Sequence, residues 1–271
     1  MARLSMNEMT TYRWSFEEDV ANYAAAGITA IGVWRQKLSD FGEEKGIELL
    51  ADSGLQVSNL LWAGGFTGSD GRTLRESIED AVEAVRLAAD LRAGCLVVYS
   101  GGRAGHTHNH ARRLAKEALC ELAPLAAELE VVLAIEPMHL ACGAECTFLH
   151  GLDDSLALID MVDSPWLRLV FDTYHLGHDP DVVRRLGAVA ERVAVVHLGD
   201  GKAVPRHDQN RSRLGEGSLP LKEIVHALAA GGYDGFFDVE LIGEEFKPSD
   251  YFELLAHSKQ AFAQLMGCPA N

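Results

Sequence analysis

The sequence predicts an α/β protein whose eight strands close into a single (β/α)8 TIM barrel, one domain spanning residues 1–271. Three observations predict it. Short apolar runs alternate with amphipathic helical stretches from end to end. Eight such strand–helix units match the size of a barrel of roughly 250 residues. No linker, composition shift or low-complexity segment divides the chain.

The expected strands cover residues 4–7, 30–34, 56–62, 95–100, 131–136, 167–172, 193–198 and 236–241. Each is rich in Val, Ile, Leu or Phe with little polar alternation, as befits strands buried on both faces of a parallel sheet. The helices between them carry start and stop signals. Ser15 and Glu18 form a capping box, and the helix they open ends at Gly27. Leu74, Ile78, Ala81, Val82 and Val85 keep helical spacing before Gly94, and Leu114, Ala118, Leu122 and Leu125 do so before the fifth strand. Pro220 suits a first helical turn, and Pro248 precedes a last helix over 250–266. A doubly wound sheet would place a glycine-rich phosphate loop after the first strand. That place reads MNEMTTYRW, without a glycine.

A formal charge of −16 argues against nucleic-acid and anionic-membrane partners, which require clustered basic residues, although net charge leaves a local basic site open. No apolar run approaches the ~18–20 residues of a membrane span. The N-terminus lacks the order of a signal peptide. Five cysteines, an odd number scattered through the chain, read as reduced thiols in a cytoplasm. Cys142 and Cys146 lack the second thiol pair of a zinc site.

In such a barrel, chemistry sits where strands end and loops begin. Four consecutive units end in an ionisable residue directly after apolar ones: Glu136 in VVLAIEPMH, Asp172 in LRLVFDTYH, His197 in VAVVHLGD and Glu240 in FFDVELIG. A buried carboxylate must be paired or bound to a cation, because isolation costs several kcal/mol. Any one of the four reads as an ordinary hydrogen-bonded strand end; their recurrence points to one divalent ion. The hard oxygen set favours Mn2+ or Mg2+, and the histidine also admits Co2+, Zn2+ and Fe2+. Trp34 and Trp62 end the second and third strands, where aromatic faces wall sugar sites, and Asn7 and Glu8 border the same mouth. GHTHNH, residues 105–110, reads as a polar loop entering a helix with His110 in its first turn.

At this point the sequence resembles the xylose-isomerase-like TIM barrels, which include sugar phosphate isomerases and epimerases, inosose isomerases, ketose 3-epimerases and endonuclease IV-type AP endonucleases. The resemblance rests on AIEP (134–137), FDTYH (171–175), VVHLGD (195–200), NRSRLGEG (210–217) and GGYDGFFDVEL (231–241), with MNEMTT (6–11) similar to the first strand of the inosose isomerases. It implies that Glu136, Asp172, His197 and Glu240 are metal ligands, that His175 contacts substrate oxygens, and that Arg211, with Arg213 as its competitor, reaches the substrate. The added histidine and Asp-x-His of the trinuclear endonucleases are missing, which argues against DNA repair.

The expected activity is that of a divalent-metal-dependent isomerase or epimerase of a sugar, keto-sugar or inosose. Proton transfer passes through a metal-stabilised enediolate, with Glu136 and Glu240 as acid and base. The alternative is a dehydratase or lyase using the same enediolate on a keto-polyol or keto-glycoside. A non-catalytic sugar-binding subunit is a further alternative. The expected partner is a small carbohydrate or polyol, with no nucleic acid and no membrane. A homo-oligomer is compatible with the sequence.

Overall fold

The computed structural model describes residues 3–206, 210–243 and 246–267; Cys268 lies outside the described residues. Eight parallel strands follow in sequence order: β1 Arg3–Asn7, β2 Ala30–Trp34, β3 Gln56–Gly64, β4 Leu96–Tyr99, β5 Leu133–Ile135, β6 Leu167–Asp172, β7 Val193–Leu198 and β8 Phe236–Val239. They close into a barrel, with β8 pairing back onto β1. Every expected run is a strand, although the ends differ. β3 continues past Trp62 to Gly64, whereas β5 and β8 end just before Glu136 and Glu240. Pro137 explains the first of these early stops, since it has no N–H to continue the ladder. The backbone N–H groups of Glu136 and Glu240 still bond Val98 O and Leu198 O, which holds both residues in line with their strands.

Side chains two apart on a strand share a face. Leu61, Val97, Ala134, Val170, Val195 and Phe236 fill the barrel interior. The opposite faces, including Ile31, Leu60, Leu133, Leu169, Val196 and Phe237, meet the surrounding helices through Ile78, Leu119, Leu158, Leu186 and Ile224. Glu136, Asp172 and His197 each stand two residues beyond an interior apolar residue: Ala134, Val170 and Val195. Period two therefore stacks the ligand layer directly on the apolar plug.

The Ser15–Glu18 capping box is present and opens helix Phe16–Ala25. A second one, Thr73 with Glu76, opens helix Leu74–Asp90. Helices Arg35–Phe41 and Glu43–Ser53 fill the connection from β2 to β3. Thr107 caps helix His108–Glu128, so His110 does lie in its first turn, and Pro124 is accommodated inside that helix. Pro220 is the residue before helix Leu221–Ala230. No helix among the described residues is long and apolar enough to cross a membrane.

Candidate metal centre

Glu136, Asp172, His197 and Glu240 converge at the C-terminal mouth of the barrel. Each offers one ligand atom, these atoms lie within 4.8 Å of one another, and all four residues are buried. Asp172 pairs with His197 in the β6–β7 ladder, and Glu240 follows β8 one step further on. His197 Nδ1 faces both Glu136 Oε1 at 3.0 Å and Glu240 Oε2 at 3.2 Å.

The residues after Asp172 form one helical turn, Thr173–Leu176, instead of a loop. The cause is Asp172 itself. Its Oδ1 accepts the backbone N–H groups of Tyr174 at 2.6 Å and His175 at 3.0 Å, as an N-cap does. Its Oδ2 accepts from Arg211 Nη2 at 2.9 Å. The same Nη2 lies 3.3 Å from Glu240 Oε2. Arg211 is buried, stacks over the Tyr174 ring at 4.9 Å, and is anchored by its backbone N–H to Ile242 O. Asp200 organises the loop that delivers it: its carboxylate accepts from the N–H groups of Gly215, Gly217 and Leu219. Arg213 instead pairs with Glu253 at 2.5 Å on the outer helix Tyr251–Leu265.

The local field separates the two glutamates. Burial would raise Glu240, but Arg211 and then His197 outweigh it and hold its carboxyl down at about 2. Burial dominates at Glu136 and leaves its carboxyl above the ordinary range, despite the attraction of His197. Burial alone would lower His197; the Glu136 and Glu240 carboxylates reverse this and raise it well above the ordinary histidine value. His175 is also buried, and burial outweighs the pull of Asp172 and Glu240, so its pKa falls to about 4. Both of its ring nitrogens lack a protein partner, as does His197 Nε2.

These donors suit a divalent cation. Three carboxylates surround one permanent cation, Arg211, which leaves a deficit of two positive charges when His197 is neutral and able to ligate. Among the described residues this is the one group of His, Cys, Asp and Glu side chains with metal-ligand geometry.

The remaining candidates lie around this centre. Trp62 stacks on Trp34 with ring centroids 6.3 Å apart and leans on Tyr99 at 5.2 Å. Asn7 is turned into the barrel interior: its amide donates to Asp238 Oδ2 at 2.7 Å and accepts from Met9 N at 2.9 Å. Glu8, the next residue, faces the other way, toward Asp19 and Lys37 on the surrounding helices, with Oε2 accepting from Trp34 N at 2.6 Å. His106 bonds Thr67 O through Nε2, and His108 and His110 bond neighbouring arginines, so the GHTHNH segment is tied into loop and helix structure.

Two site residues escaped the sequence reading. Tyr99, at the end of β4, lies within electrostatic reach of the Glu136 and Glu240 carboxylates; burial, together with these charges, pushes its hydroxyl well above the ordinary tyrosine range. Asp238 lies one layer below Glu240 and accepts from Asn7 and Asn59. Period two in FDVE could have found Asp238, which must face the same way as Glu240. Gly32 makes room for it, since a Cβ there would stand 2.3 Å from Asp238 Oδ2.

This fold and site define a class, and the chain belongs to it: the xylose isomerase-like TIM barrel family, whose description matches residues 20–262. Over 252 residues the chain is 28% identical to a Streptomyces coelicolor protein named as a hydroxypyruvate isomerase, covering 86% of each. It is 31% identical over 121 residues to D-psicose 3-epimerase of Enterocloster bolteae, covering 43% of this chain and 36% of that one. The solved structure of IolI with a zinc atom superposes with a TM-score of 0.85 over 98% of each chain at 18% identity, a likeness of fold.

Proposed function

We propose that this protein is a metal-dependent isomerase or epimerase of a keto-sugar, ketose or inosose, with Glu136, Asp172, His197 and Glu240 holding one Mn2+, Mg2+, Co2+ or Zn2+ ion. The observation that carries the reading is the convergence of these four buried side chains on one point at the catalytic end of the barrel. The family's isomerases and epimerases, and the zinc in IolI, support it. Such an ion supplies Lewis-acid polarisation of a substrate carbonyl and its adjacent hydroxyl.

The chain's own groups then divide the proton work. Glu240, kept ionised beside Arg211, takes the proton from the carbon next to the carbonyl. Glu136, the other carboxyl at the centre, returns one to a neighbouring atom or to the opposite face. His175, neutral, hydrogen-bonds a substrate oxygen through a ring nitrogen that has no protein partner. Arg211 orients an oxygen of the substrate while it keeps Asp172 in place. Trp62 walls the pocket.

NMR in D2O on metal-loaded enzyme tests this with a panel of ketoses, inososes and keto-glycosides. Deuterium enters substrate and product in the wild type. Glu136→Gln still exchanges the substrate proton but forms little product, and Glu240→Gln does neither. Exchange that survives Glu240→Gln in a metal-replete protein contradicts the assignment. A product lacking water relative to its substrate would identify the dehydratase instead.

A further inference from the structure

Beside the metal centre, a separate cavity of about 200 Å3 opens among the loops that follow β3, β4 and β5. That is room for about seven waters, the bulk of one sugar ring. It lies on the catalytic face, beside the centre. Tyr99, the last residue of β4, lines the cavity and feels the Glu136 and Glu240 charges. Cys146 lines it from the β5 side and feels the Glu136 charge.

The cavity is built. Gly64 and Gly101 hold positive φ angles of 126° and 89°, and a Cβ on either would collide with Tyr99 O at 1.9 Å or Thr67 Oγ1 at 2.3 Å. Arg35 bonds both Trp62 O and Asp80, and Arg72 bonds Asp70, Asp80 and Gly64 O, which fixes the rim. Ser69 links the β4 and β5 loops, accepting from Gly102 N and donating to Glu145 O.

Its chemistry selects a neutral polyol. Trp62 and Tyr99 offer aromatic faces to the C–H side of a ring. Asp70, Asp80, Glu145 and Ser69 offer acceptors to hydroxyls. The single cation lining the cavity, Arg72, is already held between two carboxylates, so a phosphate finds acidic walls and no available guanidinium.

We propose that this cavity is a subsite for a sugar ring carried by the substrate away from its reacting carbonyl, so that the enzyme takes glycosylated keto-sugars in preference to phosphorylated ones. The proposal rests on the proton-transfer reading above and adds the substrate class.

The test compares fructose with its glycosylated forms isomaltulose and lactulose, and with fructose 6-phosphate, by proton exchange in D2O on the metal-loaded full chain. Ser69→Trp fills the cavity, and Asp70→Asn changes an acceptor without changing size. The expected result is a fall of about tenfold or more in the ratio of kcat/KM for glycosylated over free ketose in Ser69→Trp, and a smaller fall of the same sign in Asp70→Asn. An unchanged ratio in both variants overturns the subsite, as does a wild type that exchanges the phosphate ester faster than the glycosylated ketoses. Saturation-transfer NMR with methyl isomaltoside, whose blocked reducing end leaves no carbonyl to react, is read in parallel. Transfer to one ring that Ser69→Trp abolishes supports the subsite; no transfer, or transfer that survives the substitution, overturns it. If no ketose exchanges but methyl isomaltoside is bound in this way, the proton-transfer reading fails and the subsite stands.

Discussion

Glu8, Asp19 and Lys37, packed between β1 and the helices that follow β1 and β2, form a second buried acidic group beside Glu136, Asp172, His197 and Glu240. The residue types are similar, but the charge is settled differently. Lys37 Nζ lies 2.5 Å from Asp19 Oδ2 and also bonds the backbone carbonyls of Glu8 and Thr11. Burial first, and then the Asp19 charge, push the Glu8 carboxyl well above its usual range, so it stays protonated against its neighbour. The group is thus neutral without help. The β5–β8 group gathers three carboxyls around Arg211 as its one permanent cation, and its ligand atoms face one point. A buried acidic cluster signals a cation site when its internal cations are too few, which no single residue reveals.

The largest expected effect separates the groups by function. Glu240→Gln should lower substrate proton exchange by about 10^3-fold, within the range for removing a general base. Glu8→Gln should leave it within about threefold, since a neutral amide reproduces the protonated carboxyl. Equal losses in the two variants would dissolve the distinction.

Stability separates them in the other direction. Lys37→Met leaves Asp19 buried beside no cation and should cost about 3–5 kcal/mol in urea unfolding, with divalent-metal binding retained. A loss below 1 kcal/mol would mean that the pair relaxes without strain.

Metal provides the third contrast. Mn2+ at about 100 times its Kd should add about 2.7 kcal/mol to unfolding, reversed by EDTA. Asp172→Asn should lose this increment and Glu8→Gln should keep it. Calorimetry showing the increment in Asp172→Asn would remove that residue from the ligand set.

The smallest effect is on pH dependence. Burial raises Asp19 from 3.8 to about 6, against the pull of Lys37. A folded carboxyl that binds its proton more tightly than the unfolded one contributes stability that is full below about pH 4 and lost as the pH rises through about 6. The Glu8 carboxyl is raised in the same sense, and Glu8→Gln removes its share of that loss. The variant should therefore gain about 1 kcal/mol on wild type between pH 5 and pH 8. Urea curves at the two pH values that show no relative gain would count against a Glu8 carboxyl held protonated in the folded chain.

Much of this was legible in the sequence for local reasons. Apolar runs of strand length gave all eight strands, and capping residues gave helix starts such as Ser15. The abrupt change from apolar to ionisable at Glu136, Asp172, His197 and Glu240 marked the strand ends. Strand ends themselves were less legible, because β3 reaches Gly64 through pairing with β4, a contact between distant segments. The turn at 173–176 was missed because Asp172 reads as a ligand, while its second oxygen doing the capping depends on side-chain orientation.

What the sequence determined by itself is therefore periodic and local: the eight units, the interior and exterior faces of each strand, and the kinds of side chain delivered to the mouth. The tertiary structure alone decided how these meet. Closure of β8 on β1 brings Asp238 under Asn7 and Asn59, turning Asn7 inward. The loop after β7 places Arg211 against Asp172 and Glu240 and sends Arg213 to Glu253. Tyr99 comes within electrostatic reach of Glu136 because β4 and β5 are neighbours in the barrel. Periodicity fixes the direction of a side chain relative to its own backbone, but its partners are set by ring closure between segments far apart in the chain.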